Sequence, residues 1–117
     1  MQYMMLIYLD ENSITEEQRA QCYFDSAAYA RQLQAEGKCL AVAPLQPTLT
    51  ATSIRHREGK QVVTDGPFAE TREQLGGFFL VNASNLDEAL DIAGKIPAGR
   101  WGTVEVRPVM EISGLPS

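Results

Sequence analysis

Tyr3-Met4-Met5-Leu6-Ile7-Tyr8-Leu9 is an unbroken apolar and aromatic run, and Asp10-Glu11-Asn12-Ser13 stops it with turn residues. A run without polar alternation reads as a strand covered, or nearly so, on both faces. In a chain of 117 residues that cover has few sources, and finding them decides the fold.

One source is a pair of helices. Thr15 and Gln18 have the spacing of a capping box, in which each side chain satisfies a free backbone N–H. The spacing then places Ala20, Tyr23, Phe24, Ala27, Ala30 and Leu33 on one helical face, with Glu16, Glu17, Arg19, Gln32 and Glu36 mostly opposite. Gly37 ends this helix, because glycine enters the left-handed conformation at no steric cost. Asn85 and Glu88 form a second capping box. Leu86, Ala89, Leu90 and Ala93 follow at i, i+3, i+4 and i+7, and Gly94 and Pro97 terminate the helix.

The remaining segments read as strands. Cys39–Ala43 is short and apolar, and Pro44 to Pro47 turn the chain. Thr48–Arg57 is Thr-rich and half-alternating, Glu58-Gly59 is a tight turn, and Gln61–Thr64 returns as the partner strand. Asp65–Phe78 is rich in glycine and acids and reads as a loop. Phe78–Val81 and Thr103–Val109 complete the set. The order β-α-β-(hairpin)-β-α-β predicts an α+β sandwich of ferredoxin-like connectivity, with both helices on one face of a mostly antiparallel sheet. The second face carries too much apolar surface to stay wet, which predicts a homodimer.

Composition narrows the function classes. Ten basic against fifteen acidic residues give a net charge of −5, and there is no basic run, so neither nucleic acid nor an anionic membrane is the expected partner. Tyr3–Leu9 is far too short to span a bilayer. Cys22 and Cys39 form no C-x-x-C pair and read as free thiols. With no secretory segment at the start, the expected compartment is the cytoplasm.

The stretch Val63-Thr64-Asp65-Gly66-Pro67-Phe68-Ala69-Glu70-Thr71-Arg72-Glu73-Gln74-Leu75-Gly76-Gly77-Phe78 closely resembles the DGPF branch of the YCII-related family. Tyr3–Tyr8, Leu45-Gln46-Pro47, Leu86-Asp87-Glu88-Ala89 and Val104–Val109 resemble other landmarks of that family. The likeness covers residues 1–113 as a single domain, leaving 114–117 as a flexible tail. It implies a dimeric α+β barrel in which two four-stranded sheets face each other, with a pocket between sheet and loops. Some members are encoded beside extracytoplasmic-function sigma factors. A related branch carries a His and an Asp suspected of acid–base catalysis, the Asp in a turn after the second helix. Here that turn reads Lys95-Ile96-Pro97, and the single histidine, His56, lies in the hairpin, so the pair is not carried over.

Candidate chemistry gathers in the loop. Asp65 is either a turn builder beside Gly66-Pro67 or a carboxylate presented to a pocket. If residues 69–74 form a helical turn, Glu70 and Glu73 project to one side, where paired carboxylates divide their pKa values and suit general acid–base work. Asp65, Glu70 and Glu73 are therefore the candidate catalytic acids. Arg72, Arg107, Phe68 and His56 are the candidate ligand contacts, with Arg107 on its strand suited either to clamp a ligand carboxylate or to pair with a buried acid. The alternative is a solvated polar loop with a surface ion pair.

There is no phosphate-binding G-x-x-x-x-G-K-[ST], no G-x-G-x-x-G and no nucleophile elbow, and the two cysteines and one histidine do not make an ordinary zinc site. Neither metal nor cofactor is expected. Two readings stand. One is a cofactor-independent acid–base enzyme acting on an unidentified small molecule. The other is a non-catalytic ligand-binding or regulatory module working with a sigma factor.

Overall fold

The apolar run lies at the centre of a sheet, as its composition requires. In the computed structural model, which describes residues 1–116, β1 (Gln2–Leu9) has a neighbour on each side. The elements that follow are α1 (Glu16–Ala35), β2 (Cys39–Pro44), β3 (Thr52–Arg57), β4 (Lys60–Asp65), β5 (Gln74–Asn82), α2 (Leu86–Gly94) and β6 (Gly102–Pro108). Four strands form one antiparallel sheet in the order β2-β5-β1-β6, the ferredoxin-like arrangement. β3 and β4 pair only with each other.

Alternation along β1 and β5 sends Tyr3, Met5, Ile7, Phe79 and Val81 to the helical face, where all are buried. Met5, Phe79 and Val81 are enclosed completely, and each such side chain is worth roughly 1.5–3 kcal/mol relative to exposure. Tyr29 of α1 tilts against Phe79, and its hydroxyl donates a 2.8 Å bond to the carbonyl of Ile92 on α2. The two helices are thus tied to each other as well as to the sheet. Met4, Leu6, Tyr8, Phe78 and Leu80 alternate to the opposite face, which no helix covers, and are half-buried there.

The capping box of α1 forms as expected. The Thr15 hydroxyl accepts from the N–H of Gln18, whose side chain accepts from the N–H of Thr15. The predicted inner face of α1 is corrected. Ala30 and Leu33 are buried, but Ala20, Tyr23, Phe24 and Ala27 are exposed, and Cys22 turns inward instead. Apolar residues lie all around this helix, so spacing alone does not select a face. In α2 the buried residues are Ala89, Ile92 and Ala93, while Leu86 and Leu90 stay half exposed.

Two strand boundaries also move. The third strand begins at Thr52, because Thr48–Thr50 forms a short 3₁₀ turn. The loop ends at Glu73, because Gln74, Leu75 and Gly77 already pair with β1 or β2. The Glu58-Gly59 turn has φ of 51° and 76°, the two left-handed residues of a type I′ hairpin. Gly66 takes φ of +100°, which a side chain rarely adopts. Gly77 serves a different purpose: a β-carbon there would stand 2.9 Å from the Ala43 carbonyl oxygen, so glycine lets β2 and β5 approach.

Candidate functional site

The loop after β4 is held by its backbone. The Gly66 N–H donates to the Ala51 carbonyl at 2.7 Å, and the Ser53 hydroxyl donates to the Gly66 carbonyl at 2.7 Å. Arg55 donates to the Phe68 carbonyl at 3.1 Å. Residues 69–73 bend without forming the helical turn considered from sequence, so Glu70 and Glu73 do not share a helical face. Asp65, at the end of β4, and Glu70 are exposed, and Phe68 is 76 % exposed. His56 is exposed on the hairpin, away from the loop acids in the strand register.

Glu73 is exposed as well, but unlike Asp65 and Glu70 it has a side-chain partner on another strand. Its Oε1 accepts a 2.8 Å hydrogen bond from Thr103 Oγ1 on β6. Thr103 pairs with Tyr8, Glu105 with Leu6 and Arg107 with Met4, so these three β6 residues border the uncovered apolar face. Arg107 Nε lies 3.8 Å from Glu105 Oε2. Glu73 stands at the Thr103 end of β6, and Arg107 lies four residues further along the same strand. Arg72 goes elsewhere, 3.6 Å from Asp10. That pair is of little energetic weight, since the arginine side chain is 91 % exposed. The Ser13 hydroxyl and then the Asn12 N–H, with a smaller contribution from Arg72, hold the Asp10 carboxyl below the usual carboxylate range.

A cleft of about 40 Å³ opens at the same end of the sheet, beneath the first half of α1. Leu9, Cys22, Tyr23, Leu45 and Gly76 make it chiefly apolar, and Glu11 and Arg19 stand at it as charged groups. Both Glu11 carboxylate oxygens accept from Thr48, one from its N–H and one from its hydroxyl, each at 2.9 Å. This bidentate contact ties the β2–β3 connection to the turn after β1. An adjoining hollow of about 50 Å³ shares Leu9, Cys22, Tyr23 and Gly76. Cys22 is a free thiol whose pKa is pushed up by burial, so it packs as a small hydrophobe. A wider groove of about 630 Å³ runs between α2 and β6 past Lys95, Arg100, Val104 and Val106. None of these three spaces is lined by Asp65, Glu70, Glu73, Arg72, Arg107, Phe68 or His56.

Sequence reasoning missed Thr103, Glu105, Glu11 and Arg19. Thr103 and Glu105 lie in a segment that reads from sequence only as the last strand. Glu11 was read as part of a turn, and Arg19 as part of the solvated face of a helix. Nothing local marks Thr103 or Glu11, because each gains its hydrogen-bond partner from a distant segment. Among the described residues, no three His, Cys, Asp or Glu side chains cluster as a metal site. No described helix is long and apolar enough to cross a membrane.

The fold and its loop define a YCII-type α+β domain. The family model for the YCII-related domain matches residues 1–113, and the chain belongs to that family. It is 41 % identical over 114 residues to the uncharacterized protein R00369 of Rhizobium meliloti (strain 1021), covering 93 % of this chain and 92 % of that one. Among solved structures it resembles 5-chloro-2-hydroxyhydroquinone dehydrochlorinase (TftG) from Burkholderia phenoliruptrix AC1100, in complex with 2,5-dihydroxybenzoquinone. That match has a TM-score of 0.56 and 18 % identity and covers 94 % of each chain, so the likeness is one of fold.

Proposed function

We propose that the chain is a homodimeric small-molecule enzyme that works by acid–base chemistry without a cofactor, its site lying at the β6 border of the open sheet face. The observation that carries this reading is the Glu73–Thr103 hydrogen bond, which brings a loop carboxylate to the end of the strand whose same face carries Glu105 and, further along, Arg107. Met4, Leu6, Tyr8, Phe78 and Leu80 offer an apolar floor next to these groups. A second copy packed over that floor, as in a dimeric α+β barrel, would exclude water and strengthen every charge interaction at the border. Glu73 is then the leading proton-transfer group, and Arg107 is placed to hold an anionic substituent. Asp65 and Glu70, exposed on the same loop, are the accompanying acids.

The test is a thermal-shift screen of small hydroxylated and quinonoid aromatics, the class of compound that the fold neighbour handles, together with sedimentation of the free protein. A ligand raises the melting temperature by mass action. The reading requires a dimer and at least one compound whose stabilisation is lost in Glu73→Gln and in Arg107→Ala. Binding that survives both substitutions would move the site away from β6.

A further inference from the structure

The β3–β4 ribbon has almost no support from its own chain. Both strands are exposed along nearly their whole length, and Ile54 and its cross-strand partner Val63 are 59 % and 57 % exposed. The radius of gyration is 16.0 Å, against about 13 Å for a compact chain of this length, so the ribbon projects. An isolated two-stranded hairpin is marginally stable in water at best.

Its two faces differ in charge. The register puts Thr52, Ile54, His56, Gln61, Val63 and Asp65 on one face and Ser53, Arg55, Arg57, Lys60, Val62 and Thr64 on the other. Arg57 and Lys60 are directly opposed, a like-charge pair that destabilises a ribbon, and neither has a carboxylate within salt-bridge distance among the described residues. This cationic face belongs to an otherwise acidic protein. The uncovered sheet face, in turn, is apolar and bordered by the carboxylates of Glu73 and Glu105, with Arg107 the one cation on β6, 3.8 Å from Glu105. A surface that lacks negative charge and one that offers it next to unburied apolar side chains are present on the same chain. The ribbon and β6 leave from opposite edges of the sheet order, since the ribbon connects β2 to β5.

We infer that the ribbon is an arm that lies on a second copy of this chain, its Arg57 and Lys60 meeting the Glu73 and Glu105 carboxylates of the partner subunit. The inference rests on the homodimer proposed above and assigns the arm's place in it. Each copy then supplies the other with counter-charge at the β6 border, and the site of either copy is incomplete without its partner's arm.

Two charge-reversed proteins test this. One carries Arg57→Glu and Lys60→Glu, and the other carries Glu73→Lys and Glu105→Lys. All four positions are exposed, so folding is checked simply by circular dichroism. Alone, each protein sets like charges together at both contacts of a dimer, and its self-association should weaken about tenfold at low salt, less at high salt. Mixed, they restore both contacts, and native mass spectrometry should find the heterodimer in excess of the random share. Unweakened dimers that exchange at random would overturn the arm while leaving the dimer in place. A wild-type protein that sediments at single-chain mass would overturn both and give the ribbon to another kind of acidic partner.

Discussion

Glu73 and Thr103 stand thirty residues apart in the chain, yet their side chains meet at 2.8 Å, Thr103 donating. The bond fixes the foot of the loop over the sheet border and makes Thr103 a positioning residue for the carboxylate. Thr103→Val keeps the branched shape and removes the donor. Because the pair is exposed, chemical denaturation should show a loss of no more than about 1 kcal/mol. Affinity for a compound found in the thermal-shift screen should fall several-fold, whereas Thr103→Ser should restore it. Unchanged binding in Thr103→Val would separate this bond from function.

The glycines sort by what a β-carbon would meet. At Gly102 it would collide with the Tyr8 carbonyl oxygen, and at Gly77 it would crowd that of Ala43. Both contacts are backbone, which cannot swing aside, so Gly102→Ala and Gly77→Ala should each cost about 1–3 kcal/mol by urea denaturation. Gly66→Ala meets open space but must hold φ of +100°, and about 1 kcal/mol is expected. Gly94 ends α2 in open space without a positive φ, so Gly94→Ala should stabilise by a few tenths to about 1 kcal/mol.

Tyr29 joins α1, α2 and the sheet through one side chain. Tyr29→Phe preserves the ring packing on Phe79 and deletes the bond to the Ile92 carbonyl. A loss of about 0.5–1.5 kcal/mol should follow. Hydrogen exchange should accelerate chiefly in α2, which depends on that bond for its tie to α1. Uniform acceleration across the chain would contradict this assignment.

Asp10 governs the acid response of the turn after β1. Its folded pKa lies below the ordinary carboxylate value, first because of the Ser13 hydroxyl. Its contribution is therefore complete above that ordinary value and disappears as pH falls through the lower folded one. A carboxyl titration followed by NMR should place the Asp10 midpoint below that of a free aspartate. As Asp10 protonates, its tie to Arg72 fails and amide exchange at residues 69–73 should quicken. Asp10→Asn should remove this acid step.

The elements were written in local sequence because their causes are local. The Tyr3–Leu9 run, the Thr15–Gln18 capping box, the Asn85 cap, the Glu58-Gly59 turn and the left-handed Gly66 each act within a few residues. The ferredoxin-like connectivity followed too, since the elements alternate in the order that it requires. The inner face of α1 was not legible. Its apolar residues surround the helix, and only the packing of Tyr29 and Leu33 against the sheet turned Cys22 inward and Phe24 out. The loop acids were found by their residue types, but which of them acquires a partner depended on the reach of one side chain across the sheet. Thr103 comes within reach of Glu73 because antiparallel pairing brings β6 beside β1, and β1 beside β5. Such neighbours are set by sheet register over long separations, and no local pattern encodes them.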